Sequence, residues 1–188
     1  MKLHGIPKSL ATIAPALLLC GFAAAQAPGP EKPPAQSPEE VVSALYNLVS
    51  ARPGETPDWD KVRACFIPEA VIMLRTSRTE TKVFSLDGFI QDFVDFYGKP
   101  FRRGTRTVVP KEAGFTEKVV RMKAFEFRDM AHVLVLYEAH ITGEPAPPQH
   151  GIDSWLLGRR GGRWVILAIT NDIVSEDHPV PPELAGDR

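Results

Sequence analysis

From Ser37 onward the apolar positions first fall three and four residues apart and later every second residue, a change of period that separates a helical part from a strand part. Ser37-Pro38-Glu39-Glu40 is a capping box with proline at the first helical position, and Val41, Val42, Leu45, Leu48 and Val49 follow at helical spacing. A helix is expected over about 38 to 51, stopped near Pro53-Gly54. Thr56-Pro57 starts a shorter helix in which Trp59, Val62, Cys65 and Phe66 share one face, ending before Pro68. Glu69 to Arg75 and Thr81 to Phe84 read as strands. Ser85 caps a third helix with an apolar stripe of Phe89, Ile90, Phe93, Val94 and Tyr97, which Gly98 and Pro100 stop. Residues 99 to 114 read as a basic loop. Four strands then follow, about 115 to 127, 131 to 142, 151 to 159 and 163 to 174, with turns at Arg128-Asp129 and Arg160-Gly161-Gly162. The expected order is α-α-β-β-α-β-β-β-β.

Two of those strands are apolar on both faces. Val133, Val135, Tyr137, Ala139 and Ile141 oppose Leu134 and Leu136, while Trp164, Ile166 and Ala168 oppose Val165, Leu167 and Ile169. An antiparallel sheet with one wet face alternates apolar with polar, so both faces of this one are expected to be covered. Helices cover one, and a second copy of the chain is the expected cover of the other, giving a homodimer through the sheet.

The first 36 residues follow neither period. Met1 to Lys8 is a charged start, Leu10 to Leu19 an apolar run, and Ala23-Ala24-Ala25 a small-residue site before Gln26: the layout of a cleaved signal peptide, 1–25. The run is short for a bilayer span, so no membrane span is expected in the mature form, which would be periplasmic or secreted. Leu17-Leu18-Leu19-Cys20-Gly21 offers lipidation at Cys20 as an alternative, against which Leu19 is large where such boxes are small. Residues 26–36 carry four prolines and read as an extended linker, leaving 37–175 as the folded domain and 176–188 as a C-terminal tail.

Cleavage removes Lys2 and Lys8 and no acid, so 22 basic against 23 acidic residues become 20 against 23, about −3. Without a concentrated basic face, nucleic acid is excluded as a partner. Cys65 is then the one cysteine left, so no intrachain disulfide forms, and its apolar neighbours make it a packing residue.

This order of elements, with Pro68-Glu69-Ala70-Val71 near the start of the first strand and Gly162-Arg163-Trp164-Val165-Ile166 opening the last, resembles the nuclear transport factor 2-like superfamily and its SnoaL-like bacterial branches over residues 37 to 175. Gly114-Phe115-Thr116-Glu117, Ala131-His132-Val133, Tyr137-Glu138, Gly151-Ile152-Asp153-Ser154 and Pro179-Val180-Pro181 look like an exported bacterial branch of it. The resemblance implies an α+β, cone-shaped fold in which a strongly curved, mostly antiparallel sheet wraps three helices from the N-terminal half. It also implies a pocket and frequent sheet-to-sheet dimers. Ketosteroid isomerases of the superfamily place a carboxylate base near the end of the first strand, where this chain has Met73-Leu74-Arg75. SnoaL-like cyclases place an acid on the last long strand, where Asp172 falls.

His132, His140, His150 and His178 lack metal-ligand spacing, and His132 and His140 lie about 26 Å apart along one strand at roughly 3.3 Å per residue, so no metal or other cofactor is expected. The catalytic candidates are Asp172, as an acid with raised pKa in a pocket, Tyr137, as a donor to a ligand carbonyl, and His150, oriented by Asp153. Tyr137, Asp153, Trp155, Asn171 and Asp172 are the candidate ligand contacts. For each a plainer reading stands beside the functional one: a core tyrosine or tryptophan, a solvated loop histidine, an aspartate at a strand end. Arg102, Arg103, Arg106 and Lys111 could meet an anion or simply be solvated. Three functions remain open: binding of a small apolar or aromatic molecule in a pocket between the third helix and the concave sheet, a cofactor-free lyase, isomerase or cyclase using Asp172 with Tyr137 or His150, or an adaptor acting through its dimer surface.

Overall fold

The computed structural model describes residues 36–77, 79–103 and 105–186; the proposed signal peptide and nearly all of the linker lie outside the described residues. Ser37 opens α1 (Pro38–Leu48) with the expected capping box: its side chain accepts from the Glu40 N–H, and the Glu40 carboxylate accepts from the Ser37 N–H at 2.8 Å. Asp58 caps α2 (Trp59–Ala64), which ends sooner than its apolar spacing suggests because Phe66 already pairs with Ile166 in a strand. That strand, β1 (Phe66–Arg75), therefore contains Pro68. It tolerates the missing N–H because the ladder is irregular between Phe66 and Val71. After β2 (Thr81–Phe84), Ser85 caps α3 (Leu86–Gly98).

The stretch expected to be a loop holds a small hairpin, β3 (Phe101–Arg103) and β4 (Arg106–Val108), and one helical turn, α4 (Pro110–Ala113). Arg102, Arg106 and Lys111 are exposed there. Four long strands follow: β5 (Phe115–Phe127), β6 (Met130–Ile141), β7 (Gln149–Arg160) and β8 (Arg163–Ile173). A turn at Gly161 and Gly162, both with positive φ, joins the last two, a conformation glycine adopts without steric strain.

The sheet order is β2-β1-β8-β7-β6-β5, antiparallel throughout except for the parallel β1–β8 pair. Bulges at Val120 in β5 and at Leu167 in β8 bend the sheet. Its concave face, carrying Val133, Val135, Trp155, Leu157, Ile166 and Ile169, closes on Val42, Leu45 and Tyr46 of α1 and on Phe89 and Ile90 of α3. The Tyr97 hydroxyl donates to the Val49 carbonyl at 2.7 Å, tying the end of α3 to the end of α1. This is the α+β architecture of a curved, open sheet around helices that the sequence predicts.

The bulge at Leu167 corrects one reading of the strand pattern. Simple alternation puts Trp164, Ile166 and Ala168 on one face, which would carry Asp172 inward with them. The extra residue switches the parity, so Trp164, Ile166, Ile169 and Asn171 face inward and Asp172 faces out. On the convex face the short α5 (Pro182–Ala185) packs on β5 and β6, with Leu184 buried and its carbonyl accepting from Arg121 at 3.4 Å. Val71, Met73, Val83, Phe125 and Leu156 stay exposed beyond it. Among the described residues no helix is long and apolar enough to cross a membrane.

Candidate functional site

The helices do not fill the cone. A cavity of about 50 Å³ remains between Leu45 and Tyr46 of α1, Val49 just after it, Phe89 and Phe93 of α3, and the concave sheet. It is mainly apolar but not closed. Leu74, Phe93, Glu117, Tyr137 and Asn171 belong both to its wall and to that of an open cleft of about 850 Å³, so the cavity is the floor of the cleft. Phe96, Phe101, Phe115, Ala139 and Ile141 give the cleft its apolar walls, and Lys82, Asp92, Asp95 and Lys99 stand among its charged groups.

The cavity is polar where it is deepest. Asp153, on β7, is a buried acid in the core, and the Tyr46 hydroxyl donates to its Oδ2. Burial pushes the Asp153 carboxyl up to about 7, although the Tyr46 hydroxyl and the Asn171 amide both favour its charged form. Glu117 keeps some surface open to the cleft, yet its carboxyl is enclosed; burial and then the neighbouring Asp153 push it up to about 8. Ser50 fixes the backbone of Glu117: its Oγ accepts from the Glu117 N–H at 2.9 Å and lies 3.0 Å from the Glu117 carbonyl. Burial and then the charge of Asp153 hold both Tyr46 and Tyr137 far above the ordinary phenol range, so both are neutral donors. Asn171 bridges the floor to the end of β1, donating to the Tyr137 hydroxyl at 3.3 Å and accepting from the Arg75 N–H at 2.7 Å.

Four of the five expected ligand contacts, Tyr137, Asp153, Trp155 and Asn171, thus meet in one cavity. Asp172 does not join them. It is exposed and paired with the Arg75 guanidinium, whose Nη2 donates to its Oδ2 at 3.0 Å, and this partner holds its carboxyl below the usual carboxylate range, the reverse of the expected rise. His150 is also absent from the cavity. Because β7 already begins at Gln149, residues 150 and 153 lie three apart on a strand and point to opposite faces. His150 instead lies 3.7 Å from Glu138, which also meets Lys118 at 2.7 Å on the same chain.

Three site residues escape a reading from sequence. Tyr46 lies in the apolar stripe of α1 between Val42 and Val49, and Glu117 alternates with Phe115 and Val119, an acid on an apolar face. Gly151 lies opposite Tyr137, where a methyl group would overlap the phenol ring, so its lack of a side chain makes room for that ring over the floor. Among the described residues, no three His, Cys, Asp or Glu side chains gather as a metal site.

No family model and no curated protein matches the chain in sequence. Solved structures do match its fold. A nuclear transport factor 2-like protein with a cystatin-like fold from Novosphingobium aromaticivorans superposes with a TM-score of 0.54 at 9% identity, over 74% of this chain and 82% of its own. A nuclear transport factor 2-like protein of unknown function from Pseudomonas putida gives 0.53 at 10% identity, over 80% and 93%. A protein with a cystatin-like fold from Caulobacter vibrioides gives 0.52 at 15%, over 74% and 88%.

Proposed function

We propose that this chain, which has the nuclear transport factor 2-like fold, binds a small molecule with an apolar or aromatic body in the cleft and a polar head on its floor. One observation carries the reading: the buried Asp153, Tyr46 and Tyr137, with the half-buried Asn171, lie beneath an aromatic-walled cleft that opens onto them. A core alone has no use for an acid in that position, because burying a carboxyl disfavours folding unless something repays it in hydrogen bonds. The test is a screen of small aromatic and aliphatic molecules by ligand-observed NMR, repeated on Leu74→Trp, which narrows the neck between cavity and cleft. Hits are expected to vanish in that variant while its melting temperature shows it folded. Hits that persist would put the ligand elsewhere and overturn the reading.

A second reading has its own support. Asp153 and Glu117 both titrate near neutrality in one cavity, as an acid and base that exchange protons with a substrate must. A cofactor-free isomerase, lyase or cyclase would then use Asp153, with Tyr137 or Tyr46 as hydrogen-bond donor, in the role expected of Asp172. Asp153→Asn separates the two readings: retained binding with lost turnover favours the enzyme, and unchanged turnover removes Asp153 from the chemistry.

The reading includes export and dimerisation. Residues 1–25, as a signal peptide, would leave a mature N-terminus at Gln26, which sequencing the protein from an envelope fraction checks. Val71, Met73 and Val83, exposed together on β1 and β2, support pairing of two sheets on their outer faces. The mass in solution should be twice that of the 26–188 chain and fall to the monomer in Met73→Lys; a wild-type monomer at micromolar concentration would overturn the dimer.

A further inference from the structure

Two polar atoms of the cavity have no hydrogen-bond partner: Asp153 Oδ1 and Trp155 Nε1. Both belong to residues more than nine-tenths buried, at 5% and 3% exposure. An unmet buried donor or acceptor disfavours folding, and native proteins rarely leave two in one place without a partner for them. The neighbouring groups do not supply one. Asp153 Oδ2 already accepts from Tyr46. Asn171 stabilises the Asp153 carboxylate but directs its amide to the Tyr137 hydroxyl, and the indole N–H lies beside the Tyr46 oxygen without the geometry of a hydrogen bond.

Asp153 and Trp155 are two apart on β7, so they present these atoms from the same face of one strand. With Asp153 ionised, the floor therefore offers one acceptor and one donor side by side, in a space of about 50 Å³ that holds a few heavy atoms. A ketone or ether oxygen only accepts and would leave Asp153 unmet. An ammonium only donates and would leave Trp155 unmet. A carboxylate would face Asp153 and Glu117. A hydroxyl group donates and accepts at a single atom.

We infer that the floor is a subsite for the hydroxyl of a phenol or alcohol, which donates to Asp153 Oδ1 and accepts from Trp155 Nε1 while the rest of the molecule extends into the aromatic cleft. This rests on the ligand-binding reading above and names the class of molecule it takes.

The probes are para-ethylphenol and its methyl ether, titrated into the full chain at about pH 8, where Asp153 is ionised and the phenol still neutral, by calorimetry and by the proton–nitrogen NMR signal of the Trp155 indole. The ether keeps the ring and an accepting oxygen but has no proton to donate. The phenol is expected to bind at least about tenfold more tightly and to move the Trp155 indole resonance downfield, as one added hydrogen bond of ordinary strength requires. In Asp153→Asn, with the Asn oxygen held by Tyr46, the cavity faces an amide donor in place of an acceptor, and the preference should collapse toward equality. In Trp155→Phe the lost donor should weaken phenol binding more than ether binding. If Asp153→Asn does not fold, the wild-type ratio and the Trp155 resonance decide. Equal binding of the two probes would overturn the hydroxyl subsite while leaving a ligand pocket, with trapped water as the partner of both atoms. Failure of both probes to bind would overturn the subsite together with the ligand reading beneath it.

Discussion

Asp153 and Asp172 lie on adjacent strands, one residue out of register, and behave in opposite ways. Asp153 pairs directly with Asn171 across β7 and β8 and points into the cone, where burial raises its pKa to about 7. Asp172, the next residue along, points out to water and to Arg75, which lowers its pKa. The two faces of a sheet a few ångströms thick are thus two solvents. Residue type and approximate position do not say whether an aspartate is an acid–base group or half of a surface ion pair; parity on the strand does.

The largest effect expected from this contrast is on stability against pH. Asp153 and Glu117 have folded-state values above those of the unfolded chain, so between about pH 4 and pH 8 the unfolded state loses its protons first and stability falls as pH rises. The fall should amount to several kcal/mol for the pair. Denaturant unfolding at pH 5 and pH 8 measures it, and Asp153→Asn and Glu117→Gln should each flatten the slope. A protein equally stable at both values would mean that water reaches the carboxyls and the inner face is not a separate solvent.

Next in size is Gly151→Ala. The new methyl group collides with Tyr137, so a loss of about 1–3 kcal/mol is expected, together with displacement of the tyrosine from the floor. The partner substitution Tyr137→Leu should recover part of that loss, and no recovery would show that the strain lies in the backbone instead.

Titration sharpens the comparison directly. Side-chain carboxyl NMR should place Asp153 near 7 and Asp172 below the ordinary aspartate value of about 3.9. The reverse order would mean that β8 carries no bulge and that Asp172 is the inner acid after all. The smallest effect is that of Asp172→Asn: an exposed ion pair contributes at most about 1 kcal/mol, so melting should barely move and ligand binding not at all.

Elements whose signals are local were legible in the chain itself. The capping box at Ser37, the cap at Ser85, the glycine turn before Arg163 and the alternation of β5 to β8 each depend on a few neighbouring residues, and with them the α+β order followed. Tyr137, Asp153, Trp155 and Asn171 could be picked out as candidates because polar and aromatic groups interrupt strands that are otherwise aliphatic. What the chain does not carry locally is which of two adjacent residues turns inward. One extra residue at Leu167 decides that, and a bulge is fixed by how β8 must bend between β7 and β1 to close on the helices, not by any pattern within β8. The same holds for Tyr46 and Glu117, distant in sequence from Asp153: only the curvature of the sheet, bringing α1 and β5 over β7, makes one site of them.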